Sequence, residues 1–344
     1  MKAKISLVLL SILLVAVLAA CGSKEANNPA PADKGNKITG SASANNATGK
    51  ENAANNGNGE ASQAWPMTIK HKLGEAPLDK KPEKVVVFDS GVLDTLDVLG
   101  VPVAAAPRDG LPAYLKKYSG DEYTNAGTLF EPDFEKLNAL KPDVIFISGR
   151  SSEAYDELNK IAPTIFMGVD TANYYDSFVE NMKNLGLIFE KQSEVEAELA
   201  KLDDEIATVR EAYEASGKKG LIVLTNAGKM SAYGKGSRFG LIHDVLGVAP
   251  SDDNIEVSTH GMSVTSEYIA EKNPDFLFVI DRSAVVQSEG GETAQQTIEN
   301  DLVKNTNASK DGKIIYLDPN YWYLSGGGLA SMSEMVKEVG AAIK

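Results

Sequence analysis

Residues 141–150, KPDVIFISGR, return 132 positions later as NPDFLFVIDR at 273–282, and a chain with that echo is constrained to build one βα plan twice. In each copy a Pro-Asp pair opens an apolar run too short for a helix and bounded like a buried parallel strand; the run closes on an arginine. Arg150 and Arg282 therefore fall at equivalent strand ends. Open α/β sheets take ligands just beyond the carboxyl ends of their strands, so two facing lobes aim both guanidiniums into one cleft, a setting for an anion. A second echo in the same order, DTLDVLGV at 94–101 and LIHDVLGV at 241–248, gives an amphipathic turn that stops at a glycine, a helix C-cap signal. Coincidence is the competing explanation, since Pro-Asp before an apolar strand is common. Two echoes in one order with matching arginines argue for duplicated lobes.

At 344 residues the chain exceeds one core and fits about two domains. Its first 64 residues belong to neither. Lys2 and Lys4 precede an apolar run at 5–18 that ends Leu18-Ala19-Ala20-Cys21, a secretory signal too short for the ~20 apolar residues of a membrane span. Cys21 is the only cysteine, so it closes no internal disulfide. Its position resembles a bacterial lipobox. That resemblance implies cleavage before Cys21, a diacylglycerol on its thiol, and a protein held on the extracytoplasmic face of a cell membrane, as on a Gram-positive surface. Residues 22–64 are rich in Asn, Ala, Gly and Ser and have no aromatic residue, so they cannot bury a core. A flexible coil of that length has a root-mean-square reach of roughly 35 Å. The 34 basic and 48 acidic residues give −14, which becomes −16 once Lys2 and Lys4 leave with the signal. Nucleic acid is a poor partner for such a body, and an inward cluster of arginines stands out against it.

From Trp65 onward the pattern reads as strands at 85–88, 101–106, 144–147 and 164–167 alternating with helices at 92–99, 134–140, 153–161 and 174–187. Val195, Leu199, Leu202, Ile206, Val209 and Tyr213, spaced 4, 3, 4, 3, 4, predict one long amphipathic helix. It could be a coiled-coil arm, but between two βα lobes it reads better as a spine that permits tilting and resists wide opening. Strands at 221–225, 276–280 and 314–317 and helices at 239–246, 268–272 and 329–343 complete the second lobe. The expected fold is α/β, two Rossmann-like βα lobes with a ligand cleft between them and one helical spine. Its divisions are the signal at 1–20, a lipidated tether at 21–64, lobes at 65–190 and 218–344, and the connecting helix at 191–217.

Together these features resemble the helix-hinged, class III substrate-binding lipoproteins of iron and cobalamin importers. GSRFGLIHDVLG at 236–247, STHGMS at 258–263, NPDFLFVIDR and YLDPNYWYL at 316–324 look like the catecholate siderophore binders of the petrobactin and enterobactin group. The resemblance implies a non-enzymatic protein that captures a ferric catecholate siderophore and delivers it to ABC permease subunits. It implies a monomer with no resident cofactor, ferric iron arriving as the siderophore complex. It places the ligand's anion on Arg150, Arg238 and Arg282, and His260 and Tyr323 beside the iron when the siderophore is tetradentate. Glu131, Glu135 and Asp244 are the corresponding candidates for docking the permease.

The residue types suit that cargo independently. A ferric triscatecholate carries three negative charges spread over planar oxygens, which a guanidinium fork meets in plane with a permanent charge. For a two-catecholate siderophore, a neutral imidazole and a phenolate could fill the two open positions of ferric iron. A lone strand-end arginine is more often a surface ion pair, and a loop histidine is more often structural. Tyr321, Trp322 and Tyr323 could be an ordinary aromatic corner, and strand alternation lets only some of them face the cleft. Arg108 is a reserve candidate in the first lobe, while His71 and His243 read as solvated or structural. The 234–240 stretch GKGSRFG mimics a nucleotide loop without its spacing. Gly326-Gly327-Gly328 before a helix could bind an anion or simply turn. A hydroxamate siderophore, haem or cobalamin is the nearest alternative cargo. An exported siderophore esterase would have only Ser263 near His260 as nucleophile and base.

Overall fold

The apolar runs pair as strands, and the repeated runs hold the same place in both sheets. The protein is represented by a computed structural model that describes residues 65–286 and 291–344. Strands β1 (Met67–His71) and β2 (Gly74–Leu78) form an antiparallel hairpin. The first sheet contains β3 (Val85–Val87), β4 (Ala105–Ala106), β5 (Thr124–Asn125), β6 (Val144–Ile147) and β7 (Thr164–Phe166), all parallel in the order β5-β4-β3-β6-β7. The second contains β8 (Lys219–Asn226), β9 (Lys229–Tyr233), β10 (Ala249–Pro250), β11 (Met262–Val264), β12 (Phe276–Asp281) and β13 (Ile314–Leu317). Its order is β11-β9-β8-β12-β13, with β10 beside the start of β8 and with β9 and β11 antiparallel. Thus β6 lies between β3 and β7 as β12 lies between β8 and β13.

The opening letters of the echo have matching tasks. Lys141 and Asn273 are left-handed, at φ 52° and 42°, and close the helices Phe134–Leu140 and Ser266–Lys272. Proline follows where the helix must stop. The N–H groups of Asp143 and Asp275 donate to the carbonyls of Lys84 and Lys219, each at 2.9 Å. Their carboxylates accept in return from the N–H of Lys84 at 2.8 Å and of Lys219 at 2.9 Å. The Pro-Asp pair therefore stitches each repeated strand to the start of its neighbour and fixes register.

The expected spine is the helix Gln192–Ser216, ended by left-handed Gly217, and its six seam residues are its buried residues. They join one continuous core with Phe146 and Phe189 of the first half and Phe276 and Phe278 of the second. The Tyr213 ring meets Phe276 edge-on at 5.2 Å, and its hydroxyl donates to the Val339 carbonyl at 2.8 Å. A seam covered in this way leaves no stripe for a coiled-coil partner.

A second connection joins the halves. Asp94, buried in the helix Ser90–Val98, accepts from the N–H of Ala330 at 2.9 Å and of Ser331 at 2.7 Å, while Thr95 Oγ1 accepts from the N–H of Leu329 at 3.1 Å. The first half thereby caps the terminal helix Leu329–Ala342 of the second. Gly91 and Gly328 allow the close approach, since a Cβ at Gly328 would stand 2.5 Å from the Gly91 carbonyl oxygen. The triple glycine is thus a close-packed entry to a helix whose first donors meet a carboxylate rather than an external anion.

Some elements depart from the sequence reading. The strand expected at 101–106 is paired only at Ala105–Ala106, and the helix expected at 239–246 is a single π turn, Leu241–Val245. Aromatic residues 321–323 lie in a second π turn, Asn320–Leu324, so strand alternation does not govern them. The signal, Cys21 and the tether lie outside the described residues.

Candidate functional site

Tyr323 is the point on which three arginines converge. The π turn sends its aromatic residues different ways: Trp322 is buried with its indole N–H donating to Glu338 at 2.7 Å, and Tyr321 packs on Tyr114 at 5.0 Å. Tyr323 is left to face the cleft between the lobes. Its hydroxyl accepts from Arg282 Nε at 2.8 Å, and its carbonyl accepts from Arg150 Nη2 at 3.0 Å and Arg238 Nη2 at 3.3 Å. The guanidinium carbons of Arg238, Arg282 and Arg150 lie 4.5, 5.7 and 5.8 Å from the ring centroid.

Each arginine is presented by a short built turn. Arg150 lies in the 3-10 turn Gly149–Ala154 after β6, and Arg282 opens the turn Arg282–Ala284 directly after β12. Asn226, at the end of β8, accepts from Arg282 Nη1 at 3.0 Å and fixes its fork. Arg238 rides on the glycine-rich string. Gly236, left-handed at φ 66°, donates its N–H to Asp244 at 2.7 Å, and Ser237 Oγ donates to the Gly234 carbonyl at 2.6 Å. Phe239, buried edge-on against Tyr233 at 4.7 Å, anchors the turn from below. The stretch that mimics a nucleotide loop is therefore an arginine-presenting turn.

Three like charges in a half-buried site interact strongly. Burial, then the neighbouring Arg238 charge, lowers the Arg150 pKa, and Asp89 at the head of the Ser90–Val98 helix opposes the shift. Burial pushes the Tyr323 phenol up, yet the Arg282 hydrogen bond and the charges of Arg238, Arg282 and Arg150 outweigh it and hold the phenol below its ordinary value. Unit charges about 4 Å apart interact by ~4 kcal/mol at an effective dielectric of 20. An anion entering this site relieves repulsion as well as making hydrogen bonds. The cleft that contains Arg150, Arg282 and Tyr323 has a volume of about 810 Å³, and Lys116, Thr128 and Phe130 line it opposite Ser283, Val285 and Val286. That volume suits a bulky small molecule.

The family model described as periplasmic binding protein matches residues 85–321. The chain belongs to that family. The petrobactin-binding protein YclQ of Bacillus subtilis is 51% identical over 294 residues, which cover 84% of this chain and 92% of that protein. Its crystal structure matches with a TM-score of 0.79, over 82% of this chain and 99% of the other. The ferric-anguibactin-binding protein FatB of Vibrio anguillarum is 34% identical over 279 residues, 80% of this chain and 86% of that protein. The periplasmic catecholate-siderophore binding protein VctP from Vibrio cholerae is 38% identical, with a TM-score of 0.77 over 80% of this chain and 99% of that one.

In this periplasmic binding protein the other candidate residues are dispersed. His260 is exposed on the turn before β11, does not line the cleft and makes no hydrogen bond to a described residue. Its neighbour Gly261 is left-handed at φ 73° and leaves no room for a Cβ, which would fall 2.7 Å from the Tyr233 ring. Ser263, on β11, is exposed opposite Ser231 and forms no hydrogen bond with His260. Glu131, next to Phe130 in the chain, and Glu135, in the first turn of the helix Phe134–Leu140, are both exposed. Asp244 is not with them. It caps Gly236 and lines a groove with Asp203 and Arg210 of the spine helix, so its carboxylate has a local structural task. Arg108 is held by the carbonyls of Gly120 and Tyr123 and by Asp121. His243 is buried with Nδ1 2.8 Å from the Val248 carbonyl, and His71 packs against Tyr155, so both are structural rather than solvated. Sequence reasoning missed Asn226, Lys116 and Phe130. Asn226 had one available signal, its place at the carboxyl end of the strand beside β12.

Proposed function

We propose that this chain is the extracytoplasmic binding component of an ABC importer, which captures a ferric catecholate siderophore of the petrobactin type between its lobes and delivers it to a membrane permease. The convergence of Arg150, Arg238 and Arg282 on Tyr323 carries this reading. Three fixed cations suit a trianion whose charge is spread over catecholate oxygens better than a neutral or cationic hydroxamate complex. The relatives named for petrobactin and catecholate binding support the same class of cargo. In this reading Cys21 carries the lipid that holds the body at the outer membrane face, the protein acts as a monomer, and Glu131 and Glu135 meet the permease. With a tetradentate siderophore Tyr323 supplies one iron ligand as phenolate, and His260 supplies another after movement of its exposed turn.

The test is equilibrium titration with a ferric triscatecholate, a ferric biscatecholate, a ferric hydroxamate and haem, with retention of the coloured complex on gel filtration as the readout. Catecholates are expected to bind below micromolar concentration. Arg150→Ala combined with Arg282→Ala should weaken the triscatecholate at least 100-fold, because each charged hydrogen-bond donor contributes about 1.5–3 kcal/mol. Tight binding of the hydroxamate alone would overturn the reading.

A further inference from the structure

Phe130 is the most exposed large apolar side chain among the described residues, at 68% exposure, and it belongs to none of the three core clusters. Its position is built rather than loose. Thr128 N–H donates to the Glu131 carbonyl at 2.9 Å, and Thr128 Oγ1 accepts from the N–H of Phe130 at 3.2 Å and of Glu131 at 2.9 Å. Gly127 bridges Pro132 at φ 104°, where a Cβ would lie 2.4 Å from the Glu131 carbonyl oxygen. This tight turn holds the ring out of the core and on the wall of the cleft that contains Arg150, Arg282 and Tyr323. Val285 and Val286 line the same cleft from the other lobe. Their N–H groups donate to the Arg282 carbonyl at 3.2 and 3.0 Å, so the apolar wall and the arginine share one turn.

The cleft therefore combines guanidiniums, from Arg150 and Arg282, with hydrocarbon, from Phe130, Val285 and Val286. A catecholate chelate presents both kinds of surface, its anionic oxygens turned to the metal and the carbon edges of its rings turned outward. We propose that Phe130 is a ligand-contacting residue that packs on an aryl ring of the bound chelate, with Val285 and Val286 closing over it from the opposite lobe. This rests on the proposed catecholate cargo and adds a site that reads the aromatic periphery rather than the charge. Aromatic pairs prefer offset or edge-to-face geometry and gain beyond the area they bury.

The probe is a linear biscatecholate bearing two 2,3-dihydroxybenzoyl groups, used as its ferric complex for affinity and as its diamagnetic gallium(III) complex for NMR. Phe130→Ala is expected to weaken binding about 10-fold, ~1.4 kcal/mol, Phe130→Leu less, and Phe130→Tyr hardly at all. Because the ring is exposed, all three variants should melt with the wild type. At saturation, nuclear Overhauser contacts should link the Phe130 ring to the dihydroxybenzoyl protons. If the wild type retains the chelate but Phe130→Ala stays within two-fold of it, or the contacts are missing, this inference alone falls. If the wild type fails to retain the chelate, the catecholate reading falls and this inference with it.

Discussion

Tyr323 takes part in the site in two ways, its carbonyl fixing two arginines and its hydroxyl meeting the third. The hydroxyl is already biased toward phenolate, the form that binds ferric iron. Burial pushes Tyr114, Tyr118 and Tyr213 upward and raises Tyr174 to about 12, so Tyr323 should ionise before them as pH rises. Ultraviolet difference titration should therefore show an early phenolate step that disappears in Tyr323→Phe; an unchanged first step would place the lowest phenol elsewhere. Because the folded value lies below the unfolded one, Tyr323 adds stability as pH rises through the window between them. In the proposed site the same hydroxyl offers a way to separate iron coordination from anion capture. Tyr323→Phe should weaken a ferric biscatecholate about 10-fold more than a triscatecholate, and His260→Ala should show the same sign if its turn closes over the ligand. Equal losses for both ligands would remove direct coordination from either residue.

At the scale of elements, the decisive contact is the capping of the terminal helix by Asp94 from the opposite half. Burial raises the Asp94 pKa even though the Ala330 and Ser331 N–H groups oppose it. A carboxyl raised in the folded state binds its proton more readily there, so the proton-linked part of its contribution to stability is greatest below the unfolded value of 3.8 and is lost as pH rises through the folded value, while the N–H bonds it accepts remain. Asp94→Asn has no such titration, so the wild type's advantage over it should shrink as pH rises through that interval. Asp94→Ala should cost about 2–3 kcal/mol at neutral pH, the sum of a lost cap and two orphaned donors, read as a melting temperature several degrees lower. A loss below about 0.5 kcal/mol would show that the packing of Gly91 on Gly327 and Gly328 suffices.

The sequence was legible where a local rule operates. Pro-Asp after a left-handed cap, the 4-3 spacing of the spine and the arginine that ends each apolar run all use one segment and its immediate neighbour. It was not legible where distant chain decides. The turn at 320–324 owes its shape to Glu338, Tyr114 and Ala113, and Asp94 is one acidic residue among many until Ser331 meets it. The hairpin joining β8 to β9 turns through left-handed Ala227 and Gly228, and alanine is not a residue that announces such a turn. Phe130 lies between the predicted elements at 101–106 and 134–140, and the Thr128 turn that sets it outward is a local hydrogen-bond pattern with no apolar period to announce it.

For the whole molecule, the continuous core and the Asp94 cap set how far the lobes can part. The spine helix buries its seam against both halves, and the turn that carries Tyr323 is tied to the first half by Ala113 N–H to Asn320 at 2.9 Å, by Tyr114 to Ser325 at 2.7 Å and by Arg150. Tyr323 and the first lobe should therefore move together, and ligand-driven change should be confined to a small tilt of the β8–β13 sheet with Arg238 and Arg282. A body of this size has a radius of gyration of about 19 Å. Small-angle scattering of free and ferric-catecholate-loaded protein should differ by less than about 1 Å in that radius, while ligand at 100 times Kd adds ~2.7 kcal/mol of stability and raises the melting temperature by several degrees. A hinge of the wide-opening kind would instead give a change of several ångströms at the same stabilisation. Asp94→Ala distinguishes the two restraints: if the cap limits the tilt, its loss should enlarge the scattering change on loading, and if the spine alone sets it, the change should stay at the wild-type value.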